Sequence, residues 1–235
     1  MKFLAIIFSV FALSFTLQSQ DFKEVKTAQD VVDNYLIASG GAYALRSVES
    51  ISMKGKIGDG EESGSVGVFF SKKYFYMDIS TKKFAMKQVV DMEAKKGWTK
   101  FGTMMKDMTE EDITKNRKNA ENSMWSNFLD PKSGGITFEL LQNESVNGSD
   151  AYVVDQLKDG TSATTSYFDA KTFLKVKEIK GNMTNEFSDF RKTGKNDIVM
   201  PYKVKSQSGD VTISEIKFNG KFDKKLLKKP EEDSK

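Results

Sequence analysis

Nucleophilic catalysis needs a nucleophile beside a base, and usually a third group to orient the base. The 235-residue chain has no cysteine and no histidine, so Ser–His and Cys–His pairs are impossible. Serine with lysine is the pairing left. Lysine and arginine together number 36, nearly all of them lysine, so every Ser–Lys spacing occurs by chance and none is diagnostic. Transition-metal sites lean on the same two absent residue types. Asp59, Glu61 and Glu62 offer oxygen ligands, but their spacing does not fit a helix–loop–helix calcium loop and reads as a solvated turn. Paired carboxylates serve glycoside hydrolysis. The densest acidic run, Glu110-Glu111-Asp112, instead opens a helix, where negative charge complements the helix dipole. Gly58, Gly60, Gly64 and Gly67 lie among turns and strands, not between a strand and a helix as a nucleotide fingerprint requires. Arg46, Arg117 and Arg191 are the only arginines and the formal net charge is +3, which leaves no electrostatic footprint for nucleic acid. The sequence predicts a non-catalytic protein without metal or cofactor.

What the chain does concentrate is large, flexible apolar side chains. Phe75, Met77, Phe84, Met86, Trp98, Phe101, Met104, Met105, Met124, Trp125 and Phe128 fall within one stretch, with Met92 and Met108 among them. Methionine adapts to irregular partners and lines promiscuous binding surfaces. Met104 and Met105 follow a glycine in what reads as a loop, and exposed apolar loops signal a partner or ligand. Two readings of these residues stand side by side. They pack a helix on a sheet, or they line a hollow that takes an apolar ligand.

Two helices are expected to position them. Thr27 and Asp30 form a capping box, and Ala28, Val31, Val32, Tyr35 and Leu36 then follow at helical spacing. Gly40-Gly41 ends that helix, and a short turn follows through Ala42–Leu45. The second helix starts at Thr109 with Asp112 as its capping partner, and Met108 and Ile113 form a hydrophobic staple. Ile113, Ala120, Met124, Trp125 and Phe128 keep helical spacing until Pro131 and Gly134-Gly135.

Elsewhere the apolar period is two. Ile51, Met53, Gly55 and Ile57 alternate with polar residues, as do Val66, Val68 and Phe70, and then Phe75, Met77 and Ile79. Phe84–Val90 and Gly97–Phe101 extend the series. Past the second helix, strands are expected over 136–141, 152–157, 164–168, 173–179, 183–190, 198–205 and 211–218, joined by turn residues such as Asn147-Gly148 and Asp159-Gly160. In the last of these, Val211 and Ile213 are out of phase with Ile216 and Phe218, which predicts a bulge near Ser214-Glu215. Short connections without strand–helix alternation predict a mainly β (α+β) fold built on an antiparallel meander. A sheet of that width must curl, and two or three helices are available to cover its concave face.

The first nineteen residues read as a secretory signal. Lys2 precedes the apolar run Phe3–Leu13, small and polar residues follow, and cleavage fits after Ser19. The run is too short to span a bilayer, and no cysteine follows it for lipidation. A single domain over 20–229 and a disordered polar tail over 230–235 complete the expected organisation. With no disulfide available, the core must hold the exported domain together unaided.

Several stretches together carry a family resemblance. They are Tyr35–Val48 with its Gly40-Gly41, Met53-Lys54-Gly55, Lys96-Gly97-Trp98, Val146–Val154, Tyr167–Leu174 and Phe187–Arg191. In order and spacing the chain resembles the LolA/LolB-like exported proteins of Bacteroidetes, the outer-membrane lipoprotein-sorting family. The resemblance implies an incomplete β-barrel of about eleven strands closed on one side by helices. It also implies a periplasmic carrier that holds a lipid or a lipoprotein acyl chain between sheet and helices and works as a monomer with envelope transport partners. The absent lipidation cysteine sets aside the membrane-anchored receptor of such a pathway. A cell-envelope protein-interaction module without a lipid ligand is the alternative.

Overall fold

The computed structural model describes residues 22–121, 125–207 and 209–230. The expected signal segment, Met124 and all of the expected tail except Pro230 lie outside the described residues.

The chain enters through helix α1 (Ala28–Ala38) and the short α2 (Ala42–Arg46). The capping box is as expected: the Thr27 side chain accepts from the Asp30 amide, and the Asp30 carboxylate accepts from the Thr27 amide at 2.8 Å. At the other end the Gly41 amide donates to the Leu36 carbonyl at 2.8 Å and the Gly40 amide to Ile37 at 3.1 Å, which is a Schellman closure. Gly40 has φ +117°, and an added Cβ would stand 3.1 Å from the Ile198 Cα, so only glycine brings the helix end this close to the sheet. The Ser39 carbonyl then accepts from the Val199 amide at 3.1 Å.

Six strands follow: β1 (Ser50–Ile57), β2 (Gly64–Ser71), β3 (Tyr74–Ser80), β4 (Ala85–Asp91), β5 (Lys96–Phe101) and β6 (Met104–Asp107). After α3 (Glu110–Glu121) and α4 (Ser126–Leu129) come β7 (Ile136–Val146), β8 (Ser149–Lys158), β9 (Thr161–Asp169), β10 (Lys175–Lys180), β11 (Met183–Thr193), β12 (Ile198–Ser206) and β13 (Val211–Phe218). All thirteen form one antiparallel sheet in the order β6-β5-β4-β3-β2-β1-β13-β12-β11-β10-β9-β8-β7. It is therefore two meanders zipped together by β1 and β13, with β6 and β7 left as edges. The curved sheet does not close, and the helices cover it: a mainly-β incomplete barrel, as expected.

Three details differ from the sequence reading. Met104 and Met105 open strand β6 instead of occupying a loop, which helps raise the strand count above about eleven. The single helix expected from Thr109 through Phe128 is two elements, α3 and α4, with Trp125 capping the second. Phe173 does not begin a strand, because its φ of 55° turns the chain before β10. The bulge does fall where the phase slip predicted it. Lys54 pairs with Glu215 but Gly55 with Ile213, so Ser214 is the extra residue, and its hydroxyl donates to the Lys54 carbonyl at 3.1 Å.

The main core lies between the concave face and α1, α2 and α4. Val31, Val32, Tyr35 and Leu36 from α1 meet Phe128, Val154, Phe168, Ile198, Ile213 and Ile216. Tyr35 and Phe168 have ring centroids 5.0 Å apart, and Phe128 sits 5.1 Å from Tyr35. The Arg46 guanidinium donates to the Leu129 carbonyl at 2.5 Å, tying α2 to the end of α4. A smaller cluster of Val90, Met92 and Ile113, with Phe70, Phe75 and Met108 beside it, lies under α3. On the outer face the segment after β13 crosses back over the first meander: the Phe222 ring stacks on Tyr74 at 4.6 Å and lies 5.2 Å from Phe69. Among the described residues no helix is long and apolar enough to cross a membrane.

Candidate functional site

Strand pairing assigns each side chain to a face, because residues directly opposite one another in an antiparallel ladder share it. Met53 pairs with Val68, Val68 with Met77, Met77 with Gln88 and Gln88 with Thr99. That row is concave, as Met53 belongs to the main core. Phe75, Met77, Met86, Phe101 and Met104 fall on the same face. The neighbouring row, Phe69, Tyr76, Val89 and Trp98, is the outer one, where Phe222 packs.

Between the concave face and α1 and α4 lies a cavity of about 350 Å³. Its wall is contributed by Tyr35 and Ser39 from the first helix and its cap, Trp125, Met53, Val66 and Val68 from β1 and β2, and Leu174, Lys175, Phe187 and Phe190 from the β10–β11 region. Val199, Met200, Pro201, Val204, Val211 and Ile213 complete it from β12 and β13, and Lys54 stands at its margin. The volume lies in the range of ligand pockets, about 300–1,000 Å³. Two backbone irregularities occur in strands that border this hollow: the bulged pairing of β1 with β13, and Asp189 with φ 55° inside β11.

The polar content of the wall is small and specific. The Tyr35 phenol is pushed above its ordinary range, chiefly by burial; Lys175 and hydrogen bonds with Ser39 and Trp125 act in the opposite sense. It stays a neutral hydroxyl across the physiological range. Lys175 pairs with Glu178, and its ammonium stands 5.3 Å from the Phe187 ring centroid and 5.8 Å from that of Phe128, within cation–π range.

Of the apolar residues singled out in the sequence, Trp125 lines this cavity and Phe128 is the α4 side chain buried in the main core. Phe75 packs in the smaller cluster under α3. Met77, Met86, Phe101 and Met104 continue along the concave face toward the free β6 edge, where Phe101 is 50% exposed and Met104 70%. Phe84 lies edge-on to Phe101 at 5.2 Å. Trp98 and Met105 point to the outer face; Trp98 is buried there, and its indole N–H has no hydrogen-bond partner among the described residues. The physical reason is the period of two: Trp98 and Phe101 are three residues apart on one strand and cannot share a face. The cavity residues missed from sequence include Leu174, just before β10, and Lys175, Phe187, Phe190 and Pro201 from strands remote from the Met-rich stretch. Alternation marks the faces of those strands, but nothing local shows that they border a hollow.

The acidic residues weighed as ligands stay apart from this site. Asp59, Glu61 and Glu62 sit exposed in and beside a 3-10 turn, and Glu110 and Asp112 occupy the first turn of α3. Among the described residues no group of three acidic side chains is arranged to hold a metal ion.

No protein-family model matches the chain, and no curated protein matches it in sequence. Solved structures do match in fold. A DUF1329 family protein from Desulfovibrio piger superposes with a TM-score of 0.50 at 13% identity, covering 87% of this chain and 98% of that one. A LolA superfamily protein from Nitrosomonas europaea gives a TM-score of 0.48 at 13% identity, covering 87% and 99%. At such identities the likeness is one of fold alone.

Proposed function

We propose that this protein is an exported, LolA-like carrier of the Bacteroidetes type, which holds a lipid or a lipoprotein acyl chain in the periplasm without catalysing a reaction. The observation that carries this reading is the cavity between the concave sheet and α1 and α4, walled almost entirely by apolar side chains. An acyl chain entering it is shielded from water at about 0.8 kcal/mol per buried methylene, and only the surplus over the cost of association appears as affinity. The apolar row Phe75, Met77, Met86, Phe101 and Met104 extends the concave face beyond the cavity, and we propose it as the path of a longer chain, with Trp125 and Phe128 forming the roof. Release follows when the helices loosen from the sheet. Nothing in this arrangement calls for a metal, a cofactor or a second copy of the chain.

Native mass spectrometry of protein purified from a periplasmic extract, with organic extraction of what co-purifies, tests the reading. A stoichiometric lipid or acylated peptide is the expected result. An empty protein that also fails to take up a fluorescent fatty acid overturns it. The second reading, an envelope interaction module, draws on the exposed Phe101 and Met104. It predicts an empty protein and loss of partner capture when both are changed to serine.

A further inference from the structure

We infer that the occupant of this cavity is a single acyl chain with an anionic head, and that Lys175 receives that head. The inference rests on the carrier reading and adds the chemical class of the ligand.

A bulge builds the receptor. Lys175 pairs with Phe168 but Lys177 pairs with Tyr167, so Val176 is an extra residue in β10. Residues three apart on a regular strand face opposite ways. The inserted residue reverses that, and it places Lys175 and Glu178 on the same concave face, where they form an ion pair. Their side chains are only 18% and 22% exposed. The sheet has thus brought a charge pair to the edge of its main core, beside the rings of Phe128 and Phe187.

The two partners are not equivalent toward the hollow. Lys175 is part of the cavity wall and Glu178 is not. The wall holds two cations, Lys175 and the exposed Lys54 at its margin, and no carboxylate. An ammonium has three N–H donors, and one is given to Glu178. The remaining donors of the ammonium are left for a group in the hollow. A neutral tail end set against this ammonium displaces its solvent without replacing it, which is unfavourable. A carboxylate or phosphate at the same place makes a charge-assisted hydrogen bond. The Tyr35 hydroxyl in the same wall adds a neutral polar group near the head and no negative charge to oppose it.

The test is a set of titrations of the full mature chain by calorimetry, using a fatty acid, the fatty alcohol of equal chain length, and a lysophosphatidate. The acid is expected to bind about tenfold tighter than the alcohol, and the ranking of acid against lysophosphatidate identifies the head as carboxylate or phosphate. In Lys175→Met the preference for the acid is lost while the alcohol binds as before. In Glu178→Gln, which leaves the ammonium in place and keeps the volume of the side chain, the acid binds at least as tightly as in the parent. Equal binding of acid and alcohol by the parent chain overturns the inference and leaves the carrier reading standing. So does a Lys175→Met variant, folded by circular dichroism, that weakens both ligands equally. If neither compound nor the lysophosphatidate binds the parent chain, both the inference and the carrier reading fall.

Discussion

Helices α1 and α3 begin in the same way and end up in different situations. Each opens on Thr-x-x-Asp with the reciprocal hydrogen bonds of a capping box: Thr27 with Asp30, and Thr109 with Asp112 at 3.1 Å between the amide of each and the oxygen of the other. Each lies on the concave face of the same sheet. Yet α1 buries Val31, Val32, Asn34, Tyr35 and Leu36, whereas Ile113 is the buried side chain in the first two turns of α3. The difference teaches that a cap specifies where a helix starts, and that the apolar face determines whether the fold depends on it. The half of the sheet under α1 holds the main core and the cavity. Among the described residues, the cluster under α3 has three buried members, and a strap of chain, anchored by Phe222, lies on the other face.

The largest expected effect breaks the stronger half. Phe168 is fully buried against Tyr35 and Phe128, so Phe168→Ala should cost about 3–5 kcal/mol in urea unfolding. Val90 is equally inaccessible under α3, but it is a smaller side chain in a smaller cluster, and Val90→Ala should cost roughly 2 kcal/mol. Equal losses would mean that the two halves share one cooperative core, and the contrast between the helices would dissolve.

The next effect concerns the strap. Phe222 stacks with its ring plane 10° from that of Tyr74, while Lys229 reaches Asp107 at 3.1 Å. Aromatic pairs add about 0.5–1.5 kcal/mol beyond the area they cover, and Phe222→Ala should destabilise by on the order of 1–2 kcal/mol. The loss should appear as faster amide exchange in β2 to β4, with β8 and β9 unchanged. A uniform acceleration over the whole sheet would argue that the half under α3 is not a separate unit.

These contrasts were unevenly legible in the sequence. Both capping boxes, the alternation of β1 to β3 and the bulge at Ser214 were readable, because each is set by residues within a few positions of one another. Strand β6 was not, since four residues, Met104–Asp107, show too little alternation to separate strand from loop. The face of Trp98 was readable in principle from its spacing to Phe101, but a list of residue types hides it. The cavity was readable only through Trp125, the one described residue of the expected set that lines it. Its wall draws on β1, β2, β10, β11, β12 and β13, and the bulge that turns Lys175 inward depends on how β10 pairs with β9, which no local pattern encodes.

Smaller effects sharpen the comparison at the caps themselves. Thr27→Ala and Thr109→Ala should each cost about 1 kcal/mol of local helix stability. Because the sheet's main core is docked on α1, Thr27→Ala should lower the global melting temperature. Thr109→Ala should instead raise amide exchange within α3 and leave the melting temperature nearly unchanged. If both variants shift the melting temperature alike, α3 is as integral to the fold as α1.

The least perturbing test uses pH. The Asp30 carboxyl is held below its ordinary value of 3.8, first by the Thr27 hydroxyl and then by the Lys26 and Thr27 amides. Asp112 is lowered likewise, first by the Thr109 hydroxyl and then by the Thr109 amide. A carboxyl whose folded value is depressed stabilises the fold above its unfolded value, and that stabilisation is lost as pH falls through the folded value. The relevant window therefore opens near pH 3.8 and extends downward. Both caps titrate in that window, but they act on helices of different standing. Asp30→Asn should flatten the acid limb of the global melting curve, because protonation of Asp30 loosens a helix on which the main core rests. Asp112→Asn should leave that limb unchanged and abolish only the acid-induced rise in α3 amide exchange. Should Asp112→Asn flatten the global limb as much as Asp30→Asn does, the cap alone would be setting each helix's importance, and the buried face of α1 would not.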